Sequence, residues 1–409
     1  MLRILFLSQE YPPETGWGGI GSYLYALAPA LAARGHQVHV LSCAEGQKSS
    51  DLLDRGVHLH RRGLLQRPRT LRLLHLVLRA PQTVKRLWLA LSNYYWYRRL
   101  DADFDVLEYP DWLAEGLLFA WRRPAATVAE LHTPLPVIGK YLEYPRNRDF
   151  RWACRLEQSS VMRADAVSSP SRLLVNELSG INWLRSRTPD VLPLPTDWMT
   201  WANIRPVGET EPTVLFVGRL ERRKSPETIV RALDLLKSEI PGRRAIFAGS
   251  SNGSRDGVPY DKWLKELAAA EGICELLGSV SRGQLADVMA DARVLAAPST
   301  FDNFPVAVLE ALASGRPVVV SEATGMAAMI RDNQLGAVVP AGDPRALAGA
   351  LRPFLCDAAY AAEVGRRAAD FVRSLLDPDV IAGERENLYT RAITSFASAQ
   401  EHRRWALAG

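Results

Sequence analysis

Short, nearly continuous apolar runs recur along this sequence, each ending in a polar or glycine-rich loop and followed by a helical stretch. They fall at residues 3–8, 36–41, 105–108, 127–131 and 165–168, then at 213–217, 245–248, 274–277, 294–297, 317–320 and 337–339. Runs this short without polar alternation are strands buried on both faces, as in a parallel sheet covered by helices. Residues 189–206 hold four prolines and read as a linker between the two groups of runs. The expected fold is therefore α/β, with two doubly wound, Rossmann-like domains facing a cleft. The expected boundaries are 1–195 for the first domain and 196–378 for the second, with a helical segment, 379–409, that packs back on the first. A chain of 409 residues suits two domains of ordinary size.

Composition narrows the function classes. Hydrophobic residues make up 47% and charged residues 23%, as in ordinary globular proteins. A net charge of +5 is too mild to imply nucleic acid, and no nucleic-acid module accompanies it. The four cysteines, Cys43, Cys154, Cys274 and Cys356, are scattered, with neither a CxxC nor a metal-ligand spacing. They read as reduced thiols in the cytoplasm, and no metal site is expected. The apolar start of the chain is too short for a signal peptide, and no apolar run reaches eighteen residues.

Several loops carry polar groups where such sheets place ligands. Residues 298–315 read as strand end, loop and a helix from about 304 to 313, closed by Gly315. Asp302 lies on the loop and Glu310 about two turns into the helix. A carboxylate beside a helix N-terminus suits a polyhydroxylated anion, because amides face the anion and carboxylates accept from hydroxyls. Arg219 and Lys224 follow the strand at 213–217, and Ser225 and Pro226 read as the cap and first residue of the next helix. That cation pair suits a diphosphate. His132 ends the strand at 127–131.

After the first strand, Gly16, Gly18 and Gly21 fit GxGxxG ahead of a helix from about 22 to 34. The loop is too long for a dinucleotide fingerprint, and Glu45 lies beyond the second strand, so a loop that lets backbone approach a ligand is the better reading. Residues 61–99 hold ten Lys or Arg and no acid, interleaved with Leu, Trp and Tyr and divided by Pro81. Such a stretch suits contact with an anionic membrane surface, or a core helix with a solvated basic face.

Together these elements resemble the retaining GT-B glycosyltransferases of family 4, in that family's order. The matching pieces are Gly18-Gly-Ile-Gly-Ser-Tyr23, Glu130-Leu-His-Thr133, Phe216-Val-Gly-Arg-Leu220 with Lys224, Leu277-Gly-Ser-Val280, and residues 298–315. The resemblance implies a hexosyltransferase that needs no metal or other cofactor and uses a nucleotide diphosphate sugar as donor. It gives Arg219 and Lys224 the diphosphate, Gly18 and Gly19 close approach to it, and Glu310 the ribose. Asp302 and the backbone at Asn303, Phe304 and Pro305 would hold the donor sugar, His132 the transferred sugar, and Val280 the base. The implied acceptor is a glycan, a lipid-linked molecule or a small aglycone, and the implied place is the cytoplasm or its membrane face. A non-catalytic sugar-nucleotide binder and an epimerase of the same fold are the alternatives.

Two departures stand out. Where the family carries Glu, this chain has Asp302, one methylene shorter, which moves its contacts by about 1.5 Å. Where the family carries Gly, Pro305 removes a backbone donor. Asp302 and Glu310 would meet one ligand from one side, which argues against a two-carboxylate glycosidase.

Overall fold

The computed structural model describes residues 1–66, 79–255, 257–269 and 272–408, and they form two compact units, Met1–Pro195 with Pro378–Gly409, and Thr196–Asp377. The first unit carries β1 (Arg3–Leu7), β2 (Gln37–Ala44), β3 (Ser50–Asp54), β4 (Val57–Gly63), β5 (Val106–Pro110), β6 (Ala126–Glu130), β7 (Ala166–Ser169) and β8 (Asp190–Val191). Its helices are α1 (Gly19–Ala33), α2 (Pro81–Tyr97), α3 (Leu117–Arg122), α4 (Leu135–Tyr141), α5 (Arg148–Met162) and α6 (Arg172–Gly180). The strands stand in the order β3-β4-β2-β1-β5-β6-β7-β8, and only β3 pairs antiparallel. Apolar residues fill β1 and β5 because helices cover both faces: Ile4, Leu5, Val106 and Leu107 have no exposed surface.

The second unit carries β9 (Thr213–Val217), β10 (Arg244–Ala248), a short hairpin of β11 (Ser254–Arg255) and β12 (Val258–Pro259), β13 (Cys274–Gly278), β14 (Val294–Ala297), β15 (Val318–Ser321) and β16 (Gly336–Val339). The helices are α7 (Glu227–Leu235), α8 (Tyr260–Ala269), α9 (Arg282–Asp291), α10 (Val306–Ala313), α11 (Ala327–Asp332), α12 (Pro344–Cys356) and α13 (Ala358–Leu375). The main sheet is parallel throughout, in the order β13-β10-β9-β14-β15-β16. One core joins Val214, Phe216, Leu233, Phe247, Val294 and Leu351. Burial of each such side chain is worth about 1.5–3 kcal/mol. The end of α10 is fixed by backbone contact: Gly315 closes it at φ +73°, and a Cβ on Gly365 of α13 would lie 1.8 Å from the Gly315 carbonyl. The last helix, α14 (Pro378–Ala408), belongs to the first unit and packs on α1, β6 and β7.

Some expectations are corrected. The β3–β4 hairpin interrupts the alternation; Arg55 and Gly56, at φ +46° and +81°, make its tight turn. Helix α1 begins at Gly19, not near residue 22, so Gly18 caps it and Gly19 is its first residue. Ser225 does not cap α7. It sits at φ +49° and its hydroxyl donates to the Arg222 carbonyl, ending a 3-10 turn at Arg222–Lys224. Of the basic stretch, residues 61–63 end β4, residues 67–78 lie outside the described residues, and α2 opens at Pro81. Arg86 is not on a solvated face; it is buried, and its Nε and Nη2 donate to Glu157 at 2.9 and 2.7 Å. Among the described residues no helix is long and apolar enough to cross a membrane.

Candidate functional site

In the second unit β9 and β14 are neighbours, and the chain leaves them in opposite directions, towards β10 on one side and β15 on the other. The crevice outside the carboxyl ends of two such strands is where doubly wound sheets bind ligands. The segments that follow these strands are tied together. Thr300 donates to the Arg223 carbonyl through its amide at 2.8 Å and its hydroxyl at 3.1 Å. Arg223 Nη1 in turn donates to the Phe301 carbonyl at 2.8 Å.

This brings Lys224 and Asp302 into a direct ion pair, Nζ to Oδ2, with little solvent on either side chain. Arg223 adds a second cation 3.7 Å from Asp302 Oδ1. Burial opposes the Asp302 charge, yet Lys224 and Arg223 hold its carboxyl below the usual range. Asp302 is also clamped by its backbone, donating to Ala323 at 3.0 Å and accepting from Gly325 at 2.8 Å. Asn303, Phe304 and Pro305 follow as buried residues leading into α10. Glu221 orients the cations: it accepts from Arg223 at 2.7 and 3.0 Å, and from Asn252 at 2.6 Å. Arg219 is half exposed, its Nε 3.7 Å from Glu221.

Glu310 projects from α10 and is nearly buried. Burial pushes its carboxyl up to about 7, against the pull of Arg282, whose Nη1 donates to Oε1 at 3.1 Å. Arg282 opens α9 directly after Val280 and Ser281. Ser281 forms a capping box with Gln284, which fixes the start of the helix. The Arg282 guanidinium lies 4.9 Å over the ring of Trp201, which is fully buried.

The first unit repeats the pattern with β1 and β5 as the neighbouring strands. Glu10, on the loop after β1, occupies the α1 N-terminus and accepts from the Gly21 amide at 3.2 Å. A Cβ on Gly18 would fall 2.1 Å from that carboxylate, whereas Gly19 borders open space. Of the two glycines, Gly18 therefore makes room for Glu10, and Gly19 faces open space. His132 follows β6; its amide donates to Asp111 Oδ1 at 3.0 Å, and its ring meets Tyr23 edge-on at 5.7 Å. Burial pushes its imidazole down to about 3, so the ring is neutral near pH 7. Beneath it, α14 supplies Arg385, which has no exposed surface. Its Nη1 donates to Glu130 Oε2 and Ser168 Oγ, each at 2.8 Å, and lies 3.8 Å from Glu108.

The residues expected from the sequence thus divide between the units. Arg219, Lys224, Val280, Asp302–Pro305 and Glu310 lie in the second, and Gly18, Gly19 and His132 in the first. Sequence reasoning missed Arg223, Glu221, Arg282, Trp201, Glu10 and Arg385. The run at 222–224 marked a basic turn, but not that its middle residue is the buried one. Among the described residues no group of three or more His, Cys, Asp or Glu side chains is placed to hold a metal ion.

Comparisons with known proteins identify the family and the fold. Residues 17–197 match the model of "Glycosyltransferase Family 4", and residues 200–371 that of "Glycosyl transferases group 1". A glycogen synthase from Mycobacterium tuberculosis is 28% identical over 420 aligned positions, covering 96% of this chain and 95% of the relative. Among solved structures, a sucrose-phosphate synthase from Thermosynechococcus elongatus superposes with a TM-score of 0.75 at 21% identity, covering 96% of this chain and all of that one. The Anabaena protein HepE, in complex with UDP and glucose, superposes at 0.68 and 18% identity, covering 95% of this chain and all of the other.

Proposed function

The chain belongs to the group 1 glycosyltransferases, and from that premise we propose that it moves a hexose-type sugar from a nucleotide diphosphate sugar to an acceptor hydroxyl, retaining the anomeric configuration and using no metal. One observation carries the reading. Cations and carboxylates from separate segments converge at the switch point of the second sheet, with Arg223, Lys224 and Asp302 on one side and Arg282 and Glu310 on the other. The bound UDP and glucose of the Anabaena structure and the glycogen synthase relative support a nucleotide-sugar donor.

In this reading Arg219 and Lys224 take the diphosphate, with Arg223 behind them. Glu310 accepts from the ribose hydroxyls, and Val280 borders the base. Asp302 and the backbone at Asn303, Phe304 and Pro305 meet the sugar. As the bond from the anomeric carbon to the diphosphate oxygen breaks, negative charge grows on the leaving phosphate, and the cations stabilise that charge more than the ground state. The acceptor oxygen bonds to the same face of that carbon. Its proton passes to the departing phosphate oxygen, so one C–O bond forms as one breaks. Neutral His132 holds a hydroxyl of the transferred sugar, and Gly19 lets backbone approach the reacting groups.

Incubation with UDP-, ADP- and GDP-glucose and a panel of acceptors should release free nucleoside diphosphate, and a chelator should leave the rate unchanged. Failure to turn over or bind any of them would discard the enzyme reading, and a rate abolished by chelation would discard metal independence. Proton NMR of the product reads the anomer; an inverted product sinks retention.

For the acceptor, a lipid-linked molecule is favoured by α2. Leu87, Leu91 and Tyr95 form an exposed stripe, 41, 46 and 37% accessible, among exposed Lys85, Arg98 and Arg99. The protein should sediment with phosphatidylglycerol vesicles at low salt and be released as salt screens the contact. Remaining in the supernatant at low salt would leave a glycan or a small soluble aglycone as the acceptor class.

A further inference from the structure

Glu310 sits in an environment that works against its assigned task. A carboxylate accepts two ribose hydroxyls only when ionised; once protonated it becomes a donor on one oxygen. The side chain is 8% exposed, and burial favours the neutral form. Among the described residues the one charged group in contact with it is Arg282. The elements packed on α10, namely α13, β14, β15 and the turn at Trp198–Thr200, bring no other titratable side chain to it.

Arg282 is unusually well held for a helix-terminal arginine. Its backbone is fixed by the Ser281–Gln284 capping box, its guanidinium rests on the face of buried Trp201, and its side chain is 20% exposed. The hydrogen bond uses Nη1 and Oε1 alone, so Oε2 is left for a ligand. An arginine held over an aromatic face loses little further freedom on making such a bond.

We propose that Arg282 is a positioning residue for the donor nucleotide: stacked on Trp201, it keeps the Glu310 carboxylate charged and turned so that its free oxygen meets the ribose. This inference rests on the donor-site reading above and names how that site is set. Arg282 itself touches no reacting atom, so its loss weakens donor binding rather than the chemical step.

The test is isothermal titration of UDP, ADP and GDP into wild-type, Arg282→Gln, Arg282→Lys and Glu310→Gln proteins between pH 6 and 9, with donor kinetics alongside. Arg282→Gln should bind the preferred diphosphate about fivefold more weakly at pH 7 and nearly tenfold at pH 6, the consequence of a Glu310 carboxyl that ionises about one pH unit later. The deficit should all but vanish at pH 9, to about 1.1-fold, where the carboxyl ionises without help. Donor KM should rise while kcat holds, and Arg282→Lys, which keeps the charge, should recover most of the affinity. A deficit equal at pH 7 and 9, or Lys no better than Gln, overturns the proposal. Should the Gln variant fail to fold, the Lys variant carries the test: a pH profile matching wild type supports the proposal, and Gln-like loss at every pH overturns it. Glu310→Gln binding like wild type would instead remove the donor-site reading itself. If no diphosphate binds the wild-type protein, both fall.

Discussion

Replacing Lys224 with alanine should lower kcat by about two to three orders of magnitude, the usual cost of removing one preorganised donor from a developing oxyanion. The structure adds a second expectation, because Lys224 is also the nearest cation to Asp302. Its removal leaves that carboxylate beside Arg223 alone, at 3.7 Å, and should destabilise the folded protein by about 1–3 kcal/mol. The two effects separate by pH. The Asp302 carboxyl is depressed in the folded state, so its contribution is present above the ordinary value of 3.8 and is lost as pH falls through the folded one. The stability gap between Lys224→Ala and wild type should therefore begin to close on acidification below about pH 4 and go on closing as pH falls through the depressed folded value. Thermal denaturation at pH 3.5 and 7 measures the gap. The double variant Lys224→Ala with Asp302→Ala should regain stability but not turnover, since removing both partners leaves no buried charge unpaired. Wild-type kinetics for Lys224→Ala would end the assigned role.

Much of this arrangement is legible in local sequence, and what is not has a common cause. The apolar runs that became β1, β9 and β14 announce a parallel sheet because burial on both faces leaves no room for alternation. Strand ends are then loci for ligands whatever the order of the sheet, so Lys224 and Asp302 could be named from position, and Glu310 from the helix that follows the loop. The β3–β4 hairpin was also signalled, by alternation in Val57, Leu59 and Arg61 after the Arg55-Gly56 turn, and was obscured by the charges around it.

Arg282 is different. It precedes Glu310 by 28 positions, and only the insertion of β14 beside β9 sets the loop after β13 close to α10. Arg385 meets Glu130 across 255 positions. No pattern along the chain carries such pairings, because they depend on strand order and on where the last helix lands. Glu10 is a milder case. Nothing local says that its side chain, rather than an outside anion, fills the α1 N-terminus.

The largest loss of stability should come from Arg385→Met. Arg385 is the cation among two buried carboxylates, Glu108 and Glu130, and methionine fills its volume without its charge. Breaking a buried pair from one side costs about 3–5 kcal/mol, and in a unit of this size each kcal/mol lowers Tm by about 2–4 °C. A fall of about 10 °C or more is expected. Burial already raises the Glu108 carboxyl, although Arg385 pulls it down and Tyr389 donates to it at 2.6 Å. Without the arginine it rises further. A raised carboxyl binds more protons folded than unfolded, so stability falls as pH climbs past the unfolded value of 4.5 towards the folded one. The deficit of Arg385→Met should accordingly be smaller at pH 5 than at pH 8. Adding Glu130→Gln should recover part of the loss, because Glu108 keeps its two tyrosine donors and the remaining partner is neutral. The network also bears on His132: Arg385 lies 5.2 Å over the Tyr23 ring, and Tyr23 abuts the imidazole. A merely structural Arg385 would leave turnover per folded molecule intact at low temperature. If His132 depends on this support, turnover should fall even where circular dichroism shows the variant folded, and equal turnover there would confine Arg385 to holding α14 in place.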